Sequence, residues 1–353
     1  MFGLGGKSDT VGLDIGASSV KAVQLKQSRG NYELVRLGIA PLPPETIVDG
    51  VIMDSGTVIS AINTVFSENQ IKAKDVAVAV SGHSVIVKKI KMQKMKPEEL
   101  QDAIAFEAEQ YVPYAIEDVN LDFQILSPPE AEGNEMDVLL VAVKKDVIND
   151  YLSIISTAGL RTVVVDVDGF ALENALELAH EPELDQVIAL VNLGAAVMNI
   201  NILVGGMSEF TRDSPLGGNR YTESIQKMLG LAYEQAEKLK LGEEVDGKTF
   251  NDAMPAIDMV HAELAGEIRR SFDFFRSSSH SETIHKAILS GGCARLPGLV
   301  EYLSENLEVP FEVADPLRKI KADPKKFDPE YLQVIAPQLA VSVGLALRQA
   351  GDK

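Results

Sequence analysis

The sequence contains a single cysteine, Cys293, among 353 residues. One thiol excludes an intrachain disulfide framework and a zinc site built from several cysteines. A reducing compartment is therefore the simplest environment for this chain. Histidine is also scarce, with five in total. His280 and His285 have no acidic companion at a metal-ligand spacing, so we interpret the histidines as structural or surface residues.

Positive charge is in short supply as well. The chain has 33 Lys and Arg against 52 Asp and Glu, which gives a formal net charge of −19. Such a chain repels a phosphate backbone, so we expect no nucleic-acid partner. It is also repelled by an anionic membrane surface unless a local basic patch or a partner protein intervenes.

The sequence has no basic start followed by a long apolar stretch, so we expect no signal peptide. The longest uncharged run, residues 187–208, contains Asn192, Asn199 and Asn201. Each of these amides would need a partner in lipid. The run alternates in polarity, which predicts a pair of buried strands and not a membrane helix. The apolar C-terminal stretch is followed only by a short polar end, so we expect no direct membrane anchor.

An internal repeat is the most informative feature that is present. Residues 11–25 read VGLDIGASSVKAVQL and residues 189–203 read ALVNLGAAVMNINIL. Asp14 matches Asn192, and Gly16 matches Gly194, at a common offset of 178 residues. Each copy predicts a strand, a turn of small residues and a second, alternating strand. Such turns let backbone approach a ligand closely, and their successive N–H groups form a cradle for anions.

The first loop of the repeat carries further groups that suit a phosphate. Ser18 and Ser19 add hydroxyl donors, and Lys21 adds a positive charge. Asp14 would face a metal ion held by phosphate oxygens. The alternative is two ordinary hairpins, because glycine turns are common in proteins.

Three later segments agree with a nucleotide site. Residues 286–303 read KAILSGGCARLPGLVEYL, which predicts a strand, a glycine pair and a helix N-terminus that favours phosphate or a packed nucleotide. Residues 215–219 read PLGGN and again open a helical stretch. Glu237 and Lys240 then share one helical face. Taken alone, these two residues are better interpreted as a solvated ion pair.

This order of segments resembles the actin-like ATPase superfamily over nearly the whole chain. The resemblance implies an α/β, actin-like (ribonuclease H-like) duplicated two-domain fold that binds ATP (or ADP) and Mg²⁺. It also implies that Asp14 and Asn192 position the metal, and that Asp168 orients a water molecule as a candidate catalytic acid. The implied nucleotide-binding residues are Gly16, Ala17, Ser18, Ser19, Lys21, Gly194, Ala195, Ala196, Gly217, Gly218, Asn219, Glu237, Lys240, Gly291, Gly292 and Arg295.

The sequence departs from the superfamily at Asn192, where relatives usually carry Asp. An amide keeps an oxygen acceptor but loses the charge, which weakens Mg²⁺ positioning or water activation. We therefore expect ATP binding with slow or negligible turnover. An active ATPase or a small-molecule kinase remains the alternative, with Asp168 as the base.

The segment 88–161 predicts a small α/β insert, which resembles the insert subdomain of the cell-division protein FtsA. Within it, FEAEQYVPYAIEDVNLDFQIL is similar to the type IV pilus PilM family, as are VDVDGFALENALEL and SPLGGNRYTESIQ elsewhere in the chain. By this resemblance, residues 1–87 and 162–185 form domain 1A, and 88–161 form insert 1C. Residues 186–228 and 284–337 form 2A, 229–283 form 2B, and 338–353 form a closing helix that returns to domain 1.

The resemblance to this pilus family implies a cytoplasmic scaffold that is peripheral to the inner membrane through its partners. The implied partners are the cytoplasmic N-terminal peptide of a PilN-type inner-membrane protein, the motor ATPases and the platform protein, together with self-association into a ring. The process served would be twitching motility. An FtsA-like or MreB-like filament is the structural alternative. Lys88, Lys89 and Lys91 belong to a basic patch that is either a partner surface or a solvated strand face.

Overall fold

The computed structural model describes residues 10–28, 30–126, 133–180, 185–279 and 283–352. Its strands are β1 Val11–Ile15, β2 Ser19–Ser28, β3 Asn31–Pro41, β4 Ile47–Val48, β5 Val51–Ile52, β6 Asp75–Val80, β7 Val85–Gln93, β8 Val119–Ile125, β9 Glu135–Lys144, β10 Arg161–Val167, β11 Val187–Leu193, β12 Met198–Val204, β13 Met207–Ser214, β14 Lys286–Ser290, β15 Phe311–Val313 and β16 Ile320–Lys321. Its α-helices are α1 Ser55–Glu68, α2 Pro97–Ala108, α3 Lys145–Thr157, α4 Asp168–Ala179, α5 Asn219–Leu229, α6 Tyr233–Lys240, α7 Phe250–Ser278, α8 Leu299–Leu307, α9 Pro329–Ile335 and α10 Ala340–Ala346.

Two large sheets repeat one strand order. The first runs β10-β6-β1-β2-β3-β16, and the second runs β15-β14-β11-β12-β13. In each sheet the central strand pairs antiparallel with the next strand along the chain, through β1–β2 and β11–β12. On its other side it pairs parallel with a later strand, through β1–β6 and β11–β14. The uncharged run therefore forms the predicted pair of buried strands, and the duplication extends to the topology of whole sheets.

Helices α4 and α10 lie between the two sheets. One apolar cluster joins Ala77 of the first sheet, Leu190 of the second, Leu172 of α4 and Leu345 of α10. The two helices cross closely, because a Cβ atom on Gly344 would lie 1.8 Å from the carbonyl oxygen of Ala171. The two halves are thus joined on one side by a tightly packed helix pair.

A separate three-stranded sheet, in the order β7-β9-β8, packs against α2. Its core includes Ile90, Leu100, Val138 and Leu140. We call β7, α2, β8 and β9 the insert. Helix α3, which the division by sequence grouped with this segment, instead contributes Tyr151 and its neighbours to the core of the first large sheet. The insert therefore builds its core from its own sheet and α2.

Helices α5 to α8 cover the second sheet. Tyr221 of α5, Leu239 of α6, Phe272 of α7 and Leu303 of α8 are fully buried in one cluster with strands β11 and β12. Helix α5 ends at Gly230, whose left-handed φ of 68° closes the helix as glycine commonly does. Among the helices that the described ranges contain, none combines the length and the apolar composition needed to cross a bilayer.

Candidate nucleotide site

A cavity of about 560 Å³, which we call the central cavity, lies between the two large sheets. A volume of this size is typical of small-molecule and cofactor sites. The two glycine-turn hairpins line it from opposite sides, β1–β2 from the first half and β11–β12 from the second. The implied residues that line it are Asp14, Gly16, Ala17, Ser18, Lys21, Asp168, Asn192, Gly194, Ala195, Ala196, Gly218, Asn219, Glu237, Lys240, Gly291, Gly292 and Arg295.

Two implied residues, Ser19 and Gly217, do not line the cavity. Ser19 begins β2, and its carbonyl accepts the N–H of Gly16 at 3.1 Å, which closes the first turn. Gly217 packs on the second turn, where a Cβ atom would lie 2.5 Å from the carbonyl oxygen of Ala195. Both residues therefore shape the loops that border the cavity without facing it.

The first hairpin holds a buried ion pair at the cavity wall. Asp14 and Lys21 are cross-strand partners, and Lys21 Nζ donates to Asp14 Oδ2 at 2.9 Å. Their side chains are only 15% and 11% exposed, respectively. The pair presents a carboxylate and an ammonium side by side, which are the groups that a metal–phosphate complex requires.

Asp168 stands at the first position of α4, beside Asp14. Burial is the main cause that raises the pKa of Asp168 to about 7, and the negative charge of Asp14 adds to this effect. A hydrogen bond from Ser81 acts in the opposite direction. A carboxyl with a pKa near 7 can exchange a proton at neutral pH, which is the property expected of a general acid or base.

The second hairpin replaces the ion pair with two amides. Asn192 and Asn199 are cross-strand partners, and Asn192 Nδ2 donates to Asn199 Oδ1 at 2.9 Å. Ser290 Oγ donates to Asn192 Oδ1 at 3.1 Å. The Asn192 amide therefore hydrogen-bonds within the protein, and its side chain carries no charge.

Glu237 and Lys240 form a buried cluster instead of a solvated pair. Lys240 Nζ lies 2.6 Å from Glu237 Oε2, and the Lys240 side chain is only 6% exposed. Lys240 also donates to the carbonyl oxygen of Gly218 at 3.3 Å. Thr222 Oγ1 donates to Glu237 Oε2 at 2.5 Å. Helix α6 is thereby attached to the glycine pair that opens α5, and Gly218, Glu237 and Lys240 all line the cavity.

The glycine pair after β14 closes another side of the cavity. Gly291 has a φ of 92°, and a Cβ atom there would lie 2.2 Å from the carbonyl oxygen of Leu193. Only glycine accommodates both the left-handed backbone and this close approach. A Cβ atom on Gly292 would meet open space. Arg295 lines the cavity and donates to the carbonyl oxygen of Gln333 at 2.9 Å.

Several lining residues were not among the predicted nucleotide-binding residues, namely Ser81, Tyr151, Asn199, Tyr233, Cys293 and Gln338. Asn199 had a usable signal, because it lies 178 residues after Lys21, at the offset of the repeat. Cys293 follows the glycine pair directly, and burial raises the pKa of its thiol. The others come from distant segments that only the tertiary fold brings to the cavity.

A smaller cavity, of about 350 Å³, lies beside the insert. Strand β7 lines one wall through Val85 and Lys88, and the loop after α2 adds Tyr111. Lys88 Nζ lies 5.3 Å from the centre of the Tyr111 ring, within cation–π distance. Strand β13 lines the facing wall through Arg212 and its neighbours. We call this cavity the side groove.

Lys89 of the basic patch makes its ion pairs within the chain. Its Nζ lies 2.8 Å from Glu209 of β13 and 3.2 Å from Asp137 of β9. Desolvation lowers the pKa of Lys89, but the hydrogen bonds and charges of the two acids outweigh it, so the pKa is raised overall. For Lys89, the interpretation as a partner surface is therefore replaced by an internal contact between the insert and the second sheet.

Comparisons with known proteins agree with this architecture. The family model described as type IV pilus assembly protein PilM matches residues 12–350. A solved PilM-PilN type IV pilus biogenesis complex is 32% identical, with a TM-score of 0.88, and the match covers 98% of this chain and 100% of that one.

More distant relatives share the fold. The cell division protein FtsA of Bacillus subtilis is 21% identical over 379 residues, covering 95% of this chain and 82% of FtsA. An MreB5 structure of Spiroplasma citri is 13% identical with a TM-score of 0.54, covering 95% of this chain and 94% of MreB5. The chain therefore has the actin-like fold, and it belongs to the type IV pilus assembly protein PilM family.

Proposed function

We propose that this chain is a nucleotide-binding scaffold of type IV pilus assembly. The observation that carries the proposal is one cavity that is lined by both hairpins and by the glycine pair after β14. Family membership supports the assembly role. A nucleotide in this position would touch both halves, so its binding energy would set the conformation of the protein. The division into 1A, 1C, 2A and 2B remains part of the proposal, with α3 assigned to 1A because it packs on the first large sheet.

The donor set of the cavity suits ATP or ADP with Mg²⁺. We assign the phosphates to the turns at Gly16–Ser18 and Gly194–Ala196, with the Lys21 charge nearby. We assign Mg²⁺ to Asp14, the ribose and base to Glu237 and Lys240 with the loop Gly217–Asn219, and the adenosine to Gly291, Gly292 and Arg295. Ser19 and Gly217 act through the turns that they shape. Mg²⁺ would neutralise phosphate charge when bound.

Hydrolysis is proposed to be slow. The neutral Asn192 supplies no second charge for the metal, and its amide is already hydrogen-bonded to Asn199 and Ser290. Asp168 is the candidate to orient a water molecule, because it lines the cavity beside Asp14. Phosphoryl transfer depends mainly on such positioning and charge, so one missing charge lowers the rate steeply.

The proposed partner is the cytoplasmic N-terminal peptide of a PilN-type protein, and its proposed site is the side groove. The similar PilM protein was solved in complex with PilN. The groove combines apolar strand residues with Lys88, Arg212 and the Tyr111 ring. Through this partner the chain would be cytoplasmic and peripheral to the inner membrane. Contacts with motor ATPases and the platform protein, and assembly into a ring, belong to the same proposal.

The decisive experiment identifies any nucleotide that co-purifies with the chain and measures Mg²⁺–ATP binding by calorimetry. Asp14→Ala is the matched variant, because it removes the carboxylate and leaves the backbone turn intact. We expect wild type to bind ATP and the variant to lose most of its affinity. Equal ATP retention by Asp14→Ala would contradict the metal assignment. Turnover at an ordinary kinase-like rate would contradict the proposed slow hydrolysis.

The partner assignment is tested with a fluorescent peptide that carries the N-terminal cytoplasmic residues of the PilN-type protein. We expect saturable binding to wild type and weakened binding to Tyr111→Ala, which removes a wall of the side groove. Tyr331→Ala, on the distant helix α9, serves as the control with an equally large truncation. Equal binding by all three proteins would place the peptide outside the side groove.

A further inference from the structure

Strand β13 contacts the insert region through alternate residues. Glu209 pairs with Lys89 at 2.8 Å. Thr211 Oγ1 donates to the carbonyl oxygen of Val87 at 3.5 Å. Asp213 accepts the N–H of Gly82, in the loop that leads into the insert, at 2.6 Å. The three contacts reach Lys89, Val87 and Gly82 in order along the chain, so they form one line, which we call the seam.

The seam is connected to the wall of the central cavity. Asp213 Oδ1 accepts from Asn199 Nδ2 at 2.8 Å, and Asn199 in turn accepts from Asn192 at 2.9 Å. Asn192 and Asn199 line the central cavity, whereas Asn199 and Asp213 line the side groove. A continuous chain of side-chain hydrogen bonds therefore runs from one cavity to the other.

Asp213 is the residue in which the two connections meet. Its Oδ1 faces a donor of the second half, and its Oδ2 faces a donor of the first half. A carboxylate satisfies both donors because each oxygen is an acceptor. An amide of the same size could accept only one of them and would turn an N–H group toward the other. The link between the halves therefore depends on the acid and not on its volume.

We propose that the seam is a latch that couples the central cavity to the side groove. This inference rests on the proposed nucleotide binding. A nucleotide that contacts both hairpins favours the state in which the halves are close, and the seam forms only in that state. Occupancy of the cavity thereby orders β7, a wall of the side groove. Coupling of this kind is reciprocal, so a ligand in the groove tightens nucleotide binding by the same factor.

Hydrogen exchange with and without Mg²⁺–ATP tests the latch in the full chain. In wild type we expect slower exchange in the loop Gly291–Gly292, and about tenfold slower exchange at Gly82 and along β7, a factor typical of coupled sites. In Asp213→Asn the loop keeps its protection, and Gly82 and β7 lose theirs. Glu263→Gln, which breaks an ion pair with Arg220 inside the second half, should behave as wild type.

Other outcomes separate the latch from the proposed function. Protection of the loop without protection of β7 in wild type would overturn the latch and leave nucleotide binding in place. Protection nowhere would overturn nucleotide binding and the latch with it. If Asp213→Asn does not fold, Glu209→Gln weakens the other end of the seam and should lower the protection of β7 about threefold. Unchanged β7 protection in a folded seam variant would overturn the latch.

Discussion

The two hairpins of the central cavity differ in charge but not in backbone geometry. The N–H of Gly16 donates to the carbonyl of Ser19 at 3.1 Å, and the N–H of Gly194 donates to that of Val197 at 3.0 Å. These are the same positions of the repeat. The duplication has therefore preserved the turn, which depends on backbone hydrogen bonds and small residues, while the side chains around it changed.

The side chains at one strand position show how the halves diverged. In the first hairpin Asp14 faces Lys21 as an ion pair, and in the second Asn192 faces Asn199 as an amide pair. The ion pair offers charge to a metal and a phosphate. The amide pair offers a neutral relay that leads to Asp213. The first hairpin is thus suited to bind a charged ligand. The second is suited to connect the cavity wall, through Asp213, to the insert.

The largest expected effect comes from replacing Gly12 of β1 with the residue that the second hairpin carries at the equivalent position. Leu190 occupies the equivalent position and is buried. At Gly12, however, a Cβ atom would lie 2.0 Å from the carbonyl oxygen of Ser342 in α10. Gly12→Leu should lower the free energy of unfolding by about 3 kcal/mol, at the upper end of typical overpacking effects. Urea unfolding measures this.

The control for that variant is Gly266→Ala in α7, where a Cβ atom would meet nothing within 4 Å. This substitution should leave stability unchanged or raise it by about 0.5 kcal/mol, because Ala restricts the unfolded chain and favours helix. A Gly12→Leu protein as stable as wild type would mean that α10 can move away from β1. Position 12 of the first sheet would then accept a leucine side chain, as the equivalent position of Leu190 in the second sheet does.

The repeat made both hairpins predictable from sequence, because glycine turns and alternating strands leave local signals. The glycine pair at Gly291 and the separate insert left similar signals. The position of α3 did not, since its amphipathic pattern is compatible with either neighbouring core. The contacts of Asp213 with Gly82 and of Lys89 with Glu209 were also beyond sequence reasoning, because the partners lie 131 and 120 residues apart and meet only when the halves assemble.

A smaller effect is expected when the second hairpin regains the charge of the first. In Asn192→Asp, a carboxylate oxygen would replace the Nδ2 donor that now lies 2.9 Å from Asn199 Oδ1. Two acceptors would then face each other, which should cost about 2 kcal/mol of stability without metal. Mg²⁺–ATP should restore much of this loss, because the new charge faces the cavity. Thermal unfolding in EDTA and in Mg²⁺–ATP measures both values.

Asn192→Ala provides the comparison for that experiment. It also breaks the amide pair, but it has no charge to offer a metal, so Mg²⁺–ATP should stabilise it no more than it stabilises wild type. If Asn192→Asp gained no more from Mg²⁺–ATP than Asn192→Ala does, position 192 would lie outside the reach of the metal. The resemblance between the two hairpins would then stop at the backbone.

The last expected effect, the smallest when it is counted per pH unit, concerns a second polar replacement in the same strand. Asn201 stands where the repeat places Val23 in the first half, and its Nδ2 donates to the carbonyl oxygen of Gly169 in α4 at 3.1 Å. Burial raises the pKa of Glu173 to about 7, although a hydrogen bond from the Asn201 side chain opposes this shift. Between pH 4.5, the ordinary value for glutamate, and about pH 7, the folded state keeps a proton that the unfolded state has lost. Stability should therefore fall as pH rises through this window and level off above it.

Glu173→Gln is neutral throughout and should remove this component, a slope of at most about 1.4 kcal/mol per pH unit. Urea unfolding between pH 5 and 8 measures the slope, with the exposed Glu312→Gln as control. If the free energies of unfolding of Glu173→Gln and Glu312→Gln changed equally with pH, Glu173 would not keep its proton in the folded state. The replacement of Val23 by Asn201 at this repeat position would then have no electrostatic consequence.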